Sequence, residues 1–303
     1  MTSAYAVIFI VALLGNSFGL FVVSKKSPFN SVTNLFIANM AVADLLLTVT
    51  AMPFSVAFFY RRTVWLGGTV GTITCKAVHY AIRVSIAATV LAMTLVSFDR
   101  FYVVFYPLRG KFFRKPRIMS AVIWVLSFIL MIPTVFFYQV KFSRSENANV
   151  CRGHAWLSNH SRKIFHICIF FILYAFPLGV MAVLYVLICR KLWPGKIPES
   201  ASGRSRAVIE MSKRKVVRLL IIIVVVFALC WLPTYVNHYF FFVRPEHGHK
   251  LPAEVQYVSF WLAHANSAIN PCLYILLNYN FRKRLVSVLS RCPCLRCFCC
   301  TPN

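Results

Sequence analysis

Asp99 and Arg100 stand side by side at the end of a run that begins at Cys75 and otherwise carries only Lys76 and Arg83 as charges. A charged pair at the edge of an apolar segment is costly unless it faces protein or water, so it marks a functional position by default. Asp44 sits alone in the apolar run around Leu35–Leu46, where a carboxylate must be paired, protonated or bound to a cation. Asn16, Thr89, Asn266, Ser267 and Asn270 offer polar partners for a network that holds water or a small cation such as sodium. The alternative is a protonated, hydrogen-bonded structural Asp44. Two isolated cysteines, Cys75 and Cys151, and five closely spaced ones, Cys292, Cys294, Cys297, Cys299 and Cys300, add thiol chemistry. No catalytic residue set, phosphate loop or metalloprotease motif occurs. The sequence therefore excludes an enzyme and implies no cofactor beyond a sodium ion at Asp44.

The elements that must position these residues are membrane helices. The 303 residues are 59% hydrophobic and 13% charged, against about 25% charged in a soluble domain. A net charge of +26 would suggest nucleic acid in a soluble protein. Here the basic residues fall in short breaks between apolar runs, which topology explains and nucleic-acid binding does not. Seven runs approach or exceed the ~20 residues a spanning helix needs: Ala4–Ser24, Val32–Phe59, Thr72–Phe105, Ile118–Phe137, Ile164–Leu192, Met211–Val243 and Ala253–Leu277. At ~1.5 Å per residue the stretch from Cys75 to Arg100 is roughly 37 Å long, somewhat more than a ~30 Å hydrocarbon core. One helix thus carries a cysteine at one face and the Asp99–Arg100 pair at the other.

The first run lacks a basic leading region and is followed by Lys25 and Lys26, so it reads as a spanning helix, not a signal peptide. Only Met1–Ser3 precede it; either a longer chain lies ahead of Met1 or there is no N-terminal tail. Alternation places Lys25 and Lys26, the 109–117 cluster, the 190–218 segment and the basic tail on one side. The excess of Lys and Arg there sets the N-terminus outside and the C-terminus inside. Asn159-His-Ser161 then forms an N-glycosylation sequon in the second outer loop. Cys151 lies in that loop on the oxidising side, where a bridge to Cys75 can form; the other reading is two unrelated thiols.

Three helices carry kink prolines, each of which removes a backbone hydrogen bond. Pro233 follows Phe227 and Trp231 in the sixth run, Pro271 follows Asn270 and precedes Tyr274 in the seventh, and Pro177 precedes Tyr185 in the fifth. Each alone is architectural; three around one polar core point to a bundle with alternative arrangements. After the seventh run, Phe281, Leu285, Val288 and Leu289 recur at helical spacing against Arg282, Lys283 and Arg284, giving a short amphipathic helix on the membrane surface. The cysteines beyond it suit S-palmitoylation; zinc is the rival, disfavoured by crowded spacing. The expected organisation is an all-α membrane protein. A seven-transmembrane helix bundle occupies 1–279, a short amphipathic eighth helix 280–291, and a Cys-rich tail 292–303.

Asn16, Asp44, Cys75, Asp99-Arg100, Trp124, Cys151, Pro177, Tyr185, Cys230-Trp-Leu-Pro233 and Asn270-Pro-x-x-Tyr274 together resemble class A (rhodopsin-like) G-protein-coupled receptors, in order and over essentially the whole chain. Trp65-Leu-Gly67, Cys75-Lys-Ala-Val-His-Tyr80 and Arg100-Phe-Tyr-Val-Val-Phe-Tyr-Pro-Leu-Arg109 look like the neuropeptide receptors of the galanin, allatostatin-A and kisspeptin group. The resemblance implies a plasma-membrane receptor that binds an extracellular peptide, activates a heterotrimeric G protein by movement of helix 6, and meets arrestin and membrane lipids. Asp99, Arg100, Tyr185 and Tyr274 would form the switch, with Phe227, Trp231, Pro233 and Pro271 transmitting movement to it. Two departures stand out. Phe101 replaces the usual Tyr after Arg100, and Lys213 stands where some members place an acid, which argues against an ionic lock to Arg100.

Ile82 occupies the position where amine receptors carry an aspartate, and His264 the position of the retinal-linking lysine of opsins. Arg83, Tyr235, His238, Trp261 and His264, with Ile82, become the candidate ligand contacts, though any one of them can instead pack helix to helix. Basic outer loops favour a peptide with an acidic or C-terminal aromatic feature. The same fold binding a lipid or chemosensory ligand is the nearest alternative. A transporter or channel is more distant, because neither an internal repeat nor paired half-helices occur.

Overall fold

The computed structural model describes residues 1–26, 32–106, 116–153, 159–193, 201–244, 252–277 and 281–282. Seven long helices account for most of them: α1 (Thr2–Lys26), α2 (Val32–Arg61), α3 (Gly68–Phe105), α4 (Pro116–Phe137), α5 (Asn159–Phe170, continuing through Phe176–Leu192), α6 (Ala201–His238) and α7 (Ala253–Leu277). Six are long and apolar enough to cross a membrane. The seventh run is more polar, and the structure gives the reason. Ser259, His264, Asn266, Ser267 and Asn270 of α7 all point inward and are buried by protein. Large apolar side chains such as Leu14, Ile129, Phe176, Val183 and Leu229 are instead exposed, as a lipid-facing surface requires.

α3 is the axis, touching α2, α4, α5 and α6. From Val84 to Val90 every residue is buried, which a helix achieves only when surrounded on all sides. α1 packs against α2 and α7. At Gly15 α1 lies tight against α7, and an added Cβ would be 2.7 Å from Pro271 Cγ; a small residue there lets the two helices approach.

The kink prolines behave as their chemistry demands. Ahead of Pro177, α5 widens into a π turn, Phe171–Ala175, in which the Phe176 N–H reaches the Phe171 carbonyl. Proline has no N–H for the usual acceptor, and one wide turn absorbs the mismatch. A second π turn, Tyr239–Val243, ends α6. Pro53 in α2 and Pro133 in α4 are further interior prolines.

An antiparallel hairpin between α4 and α5 departs from the all-helical expectation: β1 (Tyr138–Ser143) pairs with β2 (Ala148–Gly153), with Val140 opposite Cys151. The α2–α3 connection joins it through the Cys151 N–H to the Thr63 carbonyl at 2.8 Å and the Trp65 N–H to the Asn149 carbonyl at 2.8 Å. Several sequence expectations fall outside the described residues: the tail cysteines, the Asn159 side chain, and the proposed amphipathic helix apart from Phe281 and Arg282.

Candidate functional site

At the Cys75 end of α3, Cys75 and Cys151 form a disulfide, with Cα atoms 5.9 Å apart. It fastens β2 over the bundle, and beneath it lies a cavity of about 450 Å³ between α2, α3, α6, α7 and the hairpin. Ile82, Arg83, His238 and His264 line this space. Tyr235 and Trp261 do not. Tyr235 is buried against Tyr174 (ring centroids 4.7 Å) and Phe170 (5.5 Å), and Trp261 packs into the cluster of Tyr5, Ile8 and Met52 between α1, α2 and α7.

Sequence reasoning missed His79 as a cavity residue. Its ring stacks on Tyr138 with centroids 3.7 Å apart, and its Nδ1 lies 2.9 Å from the Cys75 carbonyl oxygen. The signal was present: Cys75, His79, Ile82, Arg83 and Ile86 follow helical spacing on one face. Cys75, His79 and Cys151 bring three ligand-type atoms within 4.8 Å. The two sulfurs are bonded to each other, however, and metal binding needs thiolates.

Trp231 reaches this cavity from α6. It is the middle rung of an aromatic ladder: Phe227 to Trp231 is 5.9 Å and Trp231 to Tyr235 is 6.3 Å between centroids. The spacing of four residues places all three rings on one helix face. Next to the Pro233 kink, the Ala228 carbonyl accepts a hydrogen bond from the Tyr174 hydroxyl at 2.8 Å, tying α5 to α6. Thr234 Oγ1 donates to the Ser259 carbonyl at 2.9 Å, tying α6 to α7.

Below this layer, Asp44 is buried, with one carboxylate oxygen accepting from Ser267 Oγ at 2.8 Å and the other from Asn270 Nδ2 at 2.9 Å. Asn16 Nδ2 donates to the carbonyls of Ala12 and Ser267, both at 2.9 Å, so α1 joins through the α7 backbone. The Asn266 and Asn270 side-chain oxygens are buried without a partner among the described residues. A carboxylate with spare buried oxygens nearby is a donor set suited to a hard cation or a water. Thr89 is also buried, on α3, but makes no hydrogen bond to this group among the described residues. A second polar node, not foreseen, centres on Asn39. Its Oδ1 accepts from Ser120 Oγ at 2.7 Å and Trp124 Nε1 at 3.0 Å, joining α2 to α4.

At the far end of α3, Arg100 Nη2 lies 2.5 Å from Asp99 Oδ2, and Asp99 is buried. The other switch candidates are held elsewhere. The Tyr185 hydroxyl is hydrogen-bonded to Ser97 Oγ at 2.9 Å, and Tyr274 donates to Met40 Sδ at 3.3 Å. Arg100, Tyr185 and Tyr274 thus each satisfy a separate partner. Phe101 stacks on Phe105 with centroids 4.4 Å apart, a contact that uses the ring and does not need a hydroxyl.

The sequence pattern of the 7 transmembrane receptor (rhodopsin family) matches residues 15–274. Galanin receptor 2a of Danio rerio is 33% identical over 287 residues, covering 92% of this chain and 75% of that protein. Galanin receptor 2b of the same fish is 31% identical over 291 residues, covering 94% and 74%.

Proposed function

Since the chain belongs to the rhodopsin family of seven-transmembrane receptors, we propose that it binds a neuropeptide in the cavity at the Cys75 end and activates a heterotrimeric G protein at the Arg100 end. What carries the ligand class is the similarity to two galanin receptors over more than nine-tenths of the chain. The cavity agrees with it. A roof fastened by one disulfide and edged by exposed loop residues leaves a peptide end room to enter, and about 450 Å³ accommodates a few side chains.

The mechanism is a population shift. A ligand moves the equilibrium only by binding one arrangement of the bundle better than the other. Trp231, in the cavity wall, is the residue through which peptide contacts reach α6. Swing of α6 about Pro233 opens a space at the Arg100 end. Arg100 leaves Asp99 to face the G protein, and Tyr185 and Tyr274 exchange Ser97 and Met40 for positions lining the opening. A sodium ion at Asp44, supported by the spare Asn266 and Asn270 oxygens, would favour the closed arrangement by electrostatic bonds to a carboxylate that shares its contacts with α7. The N-terminus faces outward and the C-terminus inward in the plasma membrane. Asn159 carries glycan, the cysteines from Cys292 to Cys300 carry palmitate, and arrestin binds the same inner face.

Cells expressing the receptor with cAMP and calcium reporters, challenged with synthetic neuropeptides including galanin, test this reading. A saturable response to a peptide supports it. Silence to every peptide together with a response to small lipids overturns the ligand class.

A further inference from the structure

Three arginines, Arg62, Arg83 and Arg152, line the cavity, and among the described residues no aspartate or glutamate does. Two of the three have partners at its rim. Arg152 is ion-paired with Glu146, and Arg62 lies over the Tyr257 ring, 5.5 Å from its centroid. Arg83 is different. It is only 7% exposed, deep on the central helix, and it makes no ion pair or hydrogen bond among the described residues. A buried charge is normally paired and hydrogen-bonded, because its lost hydration must be replaced.

The other polar groups around it do not supply the missing anion. Trp231 lines the cavity with its ring, and its Nε1 is sealed from it, without an acceptor among the described residues. Thr234 and Asn237 direct their donors to the α7 carbonyls of Ser259 and Val255. The His264 Nδ1 is engaged by the Tyr5 hydroxyl at 3.2 Å. The lining thus offers a guanidinium with neutral groups around it, among them Ser55, His79, Asn237, His238 and Gln256, and among the described residues no carboxylate to balance the charge.

We infer that the cavity is built to receive a carboxylate of the ligand, held by Arg83. An Arg fork matches a carboxylate in two parallel hydrogen bonds. The inference deepens the peptide-receptor reading and rests on it for the carboxylate's source, an acidic side chain or a free C-terminus. It also gives the ligand a way to act. An anion drawn to Arg83 lies in the cavity that Trp231 lines, beside the residue on which helix 6 movement depends.

The test uses the full chain purified in nanodiscs, with thermal unfolding as the readout and N-acetylphenylalanine as the probe. The free acid at millimolar concentration should raise the melting temperature of the wild type saturably, while N-acetylphenylalaninamide should not. Arg83→Gln should erase that difference. Without probe, Arg83→Gln should melt at or above the wild-type temperature, since it removes an unpaired buried cation; a clear drop would make Arg83 a structural anchor and count against the inference. Equal protection by acid and amide, protection that survives Arg83→Gln, or no protection by the acid each overturns it. Stronger Arg83-dependent protection by decanoate would uphold the carboxylate site and assign it to a fatty acid. Failure of the peptide reading shows separately, as silence to every peptide in the cell assay.

Discussion

Replacing Asp44 by Ala and by Asn separates hydrogen bonding from charge at the centre of the bundle. In the native protein the buried carboxylate satisfies two donors, Ser267 Oγ and Asn270 Nδ2. Alanine leaves both without an acceptor. Each stranded buried donor costs about 1–3 kcal/mol, and water entering the vacated space recovers part of it, so Asp44→Ala should destabilise by about 2–4 kcal/mol. Asp44→Asn retains one carbonyl oxygen for Ser267 and presents an NH₂ group toward Asn270. The Asn270 Oδ1 has no partner among the described residues, so rotating that amide restores the second bond. Asp44→Asn should therefore lie within about 1 kcal/mol of wild type. A gap of about 2 kcal/mol between the variants is roughly thirtyfold in the folding equilibrium. Thermal unfolding of purified receptor measures it, run in sodium chloride and in choline chloride at equal ionic strength. Sodium should stabilise the wild type alone, because binding to the folded state raises stability by mass action. If Asp44→Asn were as unstable as Asp44→Ala, net charge rather than acceptor capacity would be holding the site. A sodium response retained in Asp44→Asn would remove the carboxylate from the ion's coordination.

Arg100→Ala should abolish G-protein activation while peptide binding persists, measured as nucleotide exchange beside radioligand binding; unchanged exchange would refute the switch role. Cys151→Ser should free the hairpin from α3. The bridge closes a loop of 76 residues, for which the chain-entropy model gives about 4 kcal/mol, so the receptor should melt at a clearly lower temperature and peptide affinity should fall at least tenfold; unchanged melting and affinity would show that the bridge neither stabilises the bundle nor holds the cavity's roof. Lys213→Glu should supply the acid that pairs with Arg100 across α3 and α6 and lower ligand-independent cAMP or calcium signalling. A pair worth about 1 kcal/mol corresponds to roughly fivefold, and an unchanged basal signal would place the two residues out of reach.

The helices were legible because apolar runs of spanning length leave little choice of structure in a bilayer. Asp44, Ser267 and Asn270 were legible as a group because isolated polar residues in such runs must find each other. Which way a side chain points was harder. His264 and Trp261 are three residues apart on α7, yet one reaches the cavity and the other packs against α1, a difference set by the helix's rotation against neighbours that no local pattern records. The hairpin left a trace that was not used: Tyr138-Gln-Val-Lys-Phe-Ser143 alternates apolar and polar residues, and Asn147 takes a positive φ of 45° in the turn. Asn is among the few residues that tolerate that conformation. Its pairing with Thr63 and Trp65 is long-range and could not be read from the segment alone.

What holds the resting arrangement follows from where the charges are. The described ion pairs are Arg100–Asp99, between neighbours on α3, and Arg152–Glu146, within the hairpin; neither crosses from α3 to α6. Among the described residues, α6 is held to its neighbours α5 and α7 by packing and neutral hydrogen bonds. Tyr174 on Ala228 and Thr234 on Ser259 are two of these, each worth about 1 kcal/mol. The Phe227–Trp231–Tyr235 ladder would have to shear in the proposed turn of α6 about Pro233. Many small contacts of this kind can be traded one against another, so the gap between the two arrangements is set by differences of a few kcal/mol. Equalising a 99:1 equilibrium takes about 2.7 kcal/mol, half of the ~5.5 kcal/mol needed to reverse it fully. On the proposed mechanism, a peptide contacting Trp231 in the cavity wall would act where that sum is decided, and the Asp99–Arg100 pair would report the outcome rather than determine it.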